Sequence, residues 1–115
     1  MAFSEFEIKK IEKAADQFMQ KRRPPVHIRS QLDLLYKIEN QNVLIFEVRP
    51  VWNNPKENMK LPVAKATYVK SQKAWKIYWQ RADLKWHSYS PRPQVETIEQ
   101  FFSEVEQDPH ACFFG

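Results

Sequence analysis

The chain has 115 residues, 43% of them hydrophobic and 14% aromatic, which suits one folded domain around one core and excludes a disordered segment. Its only glycine, Gly115, and its only cysteine, Cys112, exclude glycine-rich phosphate loops, an internal disulfide and a cysteine-based zinc site within one chain. The formal net charge is +4, no run approaches the ~20 apolar residues of a membrane span, and the start lacks an apolar segment of signal-peptide length, so a cytoplasmic protein with no membrane contact is expected.

A helix is predicted at the start. Ser4 and Glu7 make an S-x-x-E capping box, and Phe3 and Ile8 stand where a hydrophobic staple forms. Ile8, Ile11, Ala15, Phe18 and Met19 recur on one helical face. Lys21, Arg22 and Arg23 suit the negative end of the helix dipole, and Pro24-Pro25 stops the helix. From Leu32 the period drops to two. Leu32, Leu34, Tyr36 and Ile38 alternate with Asp33, Lys37 and Glu39, which predicts a strand. Asn40-Gln41-Asn42 reads as a turn, with asparagine taking the left-handed conformation that glycine would otherwise take. Val43–Val48 reads as a second strand closed by Pro50, and Trp52–Asn58 as a loop by its Asn and Pro content.

Residues 63–70 and 75–81 read as a hairpin. An even loop over Ser71–Ala74 places Ala64, Ala66 and Tyr68 on the face of Trp79, Ile77 and Trp75. An odd loop reverses the facing of residues 64–70, and composition does not choose between them. Asp83-Leu84 turns into a short fifth strand, Trp86–Tyr89, and Pro91 and Pro93 end the sheet. A last helix starts at Thr97 with Gln100 completing a second capping box. It carries Ile98, Phe101, Phe102 and Val105 as its buried stripe and ends at Asp108-Pro109. The tail Ala111–Gly115 is too apolar to lie free in water. The order predicts a two-layer α+β domain over residues 1–115, with an antiparallel sheet of about five strands and an N-terminal and a C-terminal helix.

Several runs resemble a known family: Arg22-Arg23-Pro24-Pro25, Gln31–Leu34, Phe46–Pro50, Ala64–Thr67, Trp75-Lys76, Tyr78-Trp79, Arg81–His87 and Cys112–Gly115. Together they are similar to the bacterial family known as domain of unknown function 3024, over nearly the whole chain. The resemblance implies a bacterial origin and one domain. It implies no activity and no site residues.

Two kinds of chemistry are worth weighing. Asp33 followed by Glu47-Val48-Arg49 on the next strand has the outline of a magnesium-dependent nuclease, in which an Asp and a (D/E)xK hold the metal and a water. Arg49 stands in place of the lysine, and an arginine does not deprotonate to act as a base. The plainer expectation is an ion pair of Glu47 and Arg49 with Asp33 on the solvent face. His27, His87 and His110 lack metal-ligand spacing, so no cofactor is expected, and Asp83 between Arg81 and His87 reads as a turn residue. The second kind is binding. Residues 60–87 carry seven lysines and arginines against Asp83 alone, whereas residues 93–115 carry five acids and no lysine or arginine. Such poles suit either a polyanionic partner or each other. Lys65, Lys76, Tyr78, Arg81, His87 and Tyr89 are the candidate ligand-binding residues of a basic aromatic sheet face, with a nucleic acid or an acidic protein surface as its partner. A homodimer through the C-terminal tail is a further expectation.

Overall fold

The computed structural model describes residues 3–114. Helix α1 spans Glu5–Arg22 and is closed at its start by the capping box. The Ser4 N–H donates to Glu7 Oε1 at 3.0 Å, and the Glu7 N–H donates to Ser4 Oγ at 3.2 Å. Its inner face buries Ile11, Ala14, Ala15 and Phe18, with Phe3 and Ile8 packed at its first turn. Arg23 turns to extended backbone before Pro24, as the restriction on a residue preceding proline requires. A short 3-10 turn, Val26–Ile28, leads into the sheet.

The sheet holds β1 (Asp33–Glu39), β2 (Asn42–Val51), β3 (Asn54–Val69), β4 (Ala74–Gln80), β5 (Trp86–Ser88) and β6 (Gln94–Val95), and helix α2 (Ile98–Gln107) follows. Every pairing is antiparallel, and the strand order is β1-β2-β3-β4-β5. β6 also pairs with β4, at Trp75 and Lys76, while β5 pairs with it at Tyr78–Gln80. Both helices pack on one face of this sheet, giving the expected two-layer α+β arrangement.

The β3–β4 register settles the facing of residues 64–70. Ala64 lies opposite Trp79, Ala66 opposite Ile77 and Tyr68 opposite Trp75, as an even loop requires. Ala64, Ala66 and Ile77 are fully buried under the helices. Large side chains on β4 therefore fill space that alanines on β3 leave, the pattern of a closely packed interior. From α2, Ile98, Phe101, Phe102 and Val105 complete the core, and Phe18 and Phe102 bring their ring centroids to 5.3 Å.

Two expectations need correction. The Asn- and Pro-rich stretch after Pro50 is not a loop. β2 runs on to Val51 and β3 starts at Asn54, so the chain turns at Trp52-Asn53 and returns as strand. Pro50 fits because β1 pairs only with residues 42–48 of β2, which leaves one side of Pro50 without a neighbouring strand, and a missing N–H costs nothing there. Nor do Pro91 and Pro93 end the sheet, since Gln94–Val95 returns to β4 as a sixth strand.

With no glycine at its turns, the chain places other residues at positive φ: Asn40 (55°), Lys73 (49°), Leu84 (62°), Asp108 (42°) and Ala111 (55°). Asp108 closes α2, and its carboxylate accepts the N–H groups of Phe113 (3.0 Å) and Phe114 (2.9 Å). The apolar tail is thereby folded back on its own chain. Phe113 is buried with its ring 4.8 Å from Tyr89, and the Arg22 guanidinium lies 4.4 Å over Phe114.

Candidate binding face

Directly paired residues of an antiparallel sheet share a face, and neighbours along a strand alternate. The helices cover the face of Leu34, Val43, Ile45, Ala64, Ala66 and Ile77. The opposite face follows from the register. Leu35 pairs with Phe46, and Phe46 with Pro62; Lys60 lies opposite Val48, Lys65 opposite Tyr78 and Thr67 opposite Lys76, and Trp86 is paired with Gln80. No element of the described chain packs over this second face.

Its centre is a lysine between two rings. The Lys65 Nζ lies 4.9 Å from the ring centroid of Tyr78 and 4.9 Å from that of Trp86. β4 delivers Tyr78 and β5 delivers Trp86, while the short turn after Arg81 fixes their spacing; there the Leu84 N–H donates to the Arg81 carbonyl at 2.9 Å. Partial burial lowers the Lys65 pKa from the usual lysine value, and the facing π-clouds offset the loss of hydration. Lys60, Lys65 and Lys76 make no ion pair among the described residues. The acids on this face are occupied: Glu39 lies 3.7 Å from Lys37, and Asp33 is held by Arg23. Among the described residues, no ion pair joins the basic segment 60–87 to the acidic segment 93–115.

Of the six expected binding residues, Lys65, Lys76 and Tyr78 come together here. The other three do not. Tyr89 is fully buried, and its hydroxyl donates to Glu104 Oε2 at 2.7 Å. His87 pairs with Trp79 on the helix-side face, and its Nε2 lies 2.8 Å from Asp83 Oδ2. Arg81 stacks 5.1 Å over Trp79, on that same side. Asp83 is a turn residue, accepting the Lys85 N–H at 2.9 Å. That bond, and then the one to His87, holds its pKa low. Trp86 was the residue missing from the expectation. The signal for it is the period of two that runs through Tyr78 and Gln80 and resumes after the turn.

The carboxylates of the nuclease outline are not brought together. Asp33 lies opposite Val48 and Glu47 opposite Leu34, so they project from opposite faces of the sheet. Each is engaged by an arginine. Arg23 donates through Nε and Nη2 to the two oxygens of Asp33, at 2.8 and 2.9 Å, and holds that carboxyl below its usual range. Arg49 donates to Glu47 Oε2 from Nε at 3.0 Å and Nη2 at 2.7 Å. Among the described residues, no three of His, Cys, Asp and Glu gather closely enough to hold a metal ion. Cys112 is a partly buried thiol whose pKa is raised by burial, the reverse of what an activated nucleophile needs. No described helix is long and apolar enough to cross a membrane.

Fold and face together define a two-layer α+β domain with one sheet face under helices and the other bare, basic and aromatic. The chain belongs to the family described as domain of unknown function (DUF3024), whose model matches residues 3–115. No curated protein and no solved structure matches it.

Proposed function

We propose that this domain is a non-enzymatic binding module that takes single-stranded nucleic acid on its bare sheet face. The observation that carries the reading is Lys65 held between Tyr78 and Trp86, on a face where Lys60 and Lys76 also lack a carboxylate partner. Unpaired bases stack on aromatic rings whatever their sequence, and the backbone phosphates need cations at a nucleotide's reach from those rings. A sheet face with rings and ammonium groups interleaved supplies both. Each of its two acids has a cation beside it: Asp33 accepts two hydrogen bonds from Arg23, and Glu39 lies 3.7 Å from Lys37.

The test is fluorescence anisotropy with a labelled single-stranded oligonucleotide at 50 and 200 mM salt. Three phosphate contacts give a slope of about −2 in log affinity against log salt, so binding weakens roughly fifteenfold between the two conditions. Trp86→Ala or Tyr78→Ala removes one stack and weakens binding about tenfold, from ~1–3 kcal/mol per base. No measurable binding at low salt, or affinity indifferent to salt, would remove the proposal.

A further inference from the structure

Beyond residue 48 of β2, and before residue 64 of β3, the two strands pair only with each other. β1 ends its pairing at Val48 and β4 begins its own at Ala64. In this two-stranded arm, Trp52 to Asn54 and Lys56 to Lys60 are all exposed. At the turn stands Trp52, 92% exposed, the most exposed large hydrophobic side chain described. A lone surface leucine needs no explanation. Trp52 differs in kind, because its indole offers a flat face for stacking and an N–H donor, the properties that enrich tryptophan at interfaces.

We infer that the arm is a second contact for nucleic acid and that the preferred ligand is a junction between a duplex and a single strand. The inference rests on the bare face taking the single strand. Three features favour it. The alternation of β2 carries that face onto the arm across a bulge at Val63, so Lys60 opposite Val48 and Asn58 opposite Pro50 project to the same side as Tyr78. Lys56 and Lys60 outnumber Glu57 there, and the Arg49 charge is balanced by Glu47, so the arm meets phosphates without a net acid. Finally, a two-stranded ribbon fits the major groove, roughly 12 Å wide, and a large apolar side chain at a ribbon tip can stack on the end of a duplex where the strands part. One strand then continues along the face to Tyr78 and Trp86.

The experiment compares three labelled ligands by anisotropy: a single strand, a blunt duplex, and a fork whose unpaired tail has the sequence of the single strand. The fork is expected to bind about tenfold more tightly than the single strand, a gain of one stack. Trp52→Ala is expected to reduce the fork to the affinity of the single strand while leaving the single strand unchanged. The variant is expected to keep the wild-type circular dichroism spectrum, because Trp52 is 92% exposed. Equal affinities for fork and single strand, or a Trp52→Ala loss shared by both, would overturn the arm's role and leave the face intact. Failure of all three ligands to bind would overturn the face and the arm together. A wild-type dimer in sedimentation that Trp52→Ala converts to monomer would overturn the inference in favour of contact between two copies.

Discussion

Replacing Tyr89 with phenylalanine deletes one oxygen from the interior and changes little else. The ring stays in its place, fully buried and stacked 4.8 Å from Phe113. The lost group is the hydroxyl that donates to Glu104 Oε2 at 2.7 Å. Glu104 keeps only Arg92, whose Nη1 is 3.6 Å from Oε1, and its side chain is 12% exposed. A hydrogen bond to a charged acceptor contributes about 1.5–3 kcal/mol, and a carboxylate left half-satisfied at low exposure puts the loss near the middle, about 2 kcal/mol. For a domain of this size that is a fall of about 8 °C in melting temperature. The pH dependence carries the second half of the test. Burial first, and then the bond to Glu104, raises the Tyr89 pKa above the ordinary tyrosine value. The folded chain therefore holds this proton at a pH where the unfolded chain has released it. The stability linked to it is whole below about pH 10 and declines as pH rises further toward the folded pKa. Urea unfolding of wild type and Tyr89→Phe at pH 8 and pH 11 reads both effects. The gap between the two proteins should narrow at pH 11. A difference under about 0.5 kcal/mol at pH 8, or a gap that widens with alkali, would refute the reasoning.

Two further outcomes follow from the same geometry. Leu84→Gly should raise stability by about 0.5 kcal/mol, because relief of a left-handed φ of 62° at an exposed side chain outweighs the entropy that glycine adds to the unfolded chain; a lower melting temperature would count against it. Asp33→Asn should destabilise at neutral pH. The Arg23 guanidinium holds the Asp33 pKa down, so the stabilisation is present above the ordinary carboxylate range and disappears as pH falls through the lowered value. The gap between the two proteins should shrink in urea unfolding as pH falls from 7 into the acid range, and a gap that stays constant or widens would contradict the ion-pair account.

The two ends of the chain were legible because their signals are local. Ser4 with Glu7, and Thr97 with Gln100, each satisfy backbone donors within a single turn, and the structure contains both boxes. The alternation of Ala64, Ala66 and Tyr68 against Trp75, Ile77 and Trp79 was legible as well, but only up to a choice of loop parity that the pairing itself decided. The arm was not legible. Asn and Pro mark loops because they weaken ladders between neighbours on both sides, and nothing in residues 50–60 announces that these strands have a neighbour on one side only. Tyr89 misled for a related reason. It stands next to an exposed serine in a short strand, yet its N–H donates to the Ile77 carbonyl at 2.9 Å and turns the ring under α2. Tyr89 lies just past β5, where strand alternation no longer sets its direction and contacts far away in sequence do.

The two margins of the sheet are unequal. β1 offers seven consecutive residues with no strand beyond it, whereas along β4 the opposite margin is divided between β5, of three residues, and β6, of two. Endless stacking of sheet against sheet requires a long docking margin at both ends of every unit. Along the arm, residues 54–63 of β3 also lack an outer neighbour, so the sheet has an open margin on either side, and the exposed Lys56 and Lys60 on the second one oppose strand addition between copies.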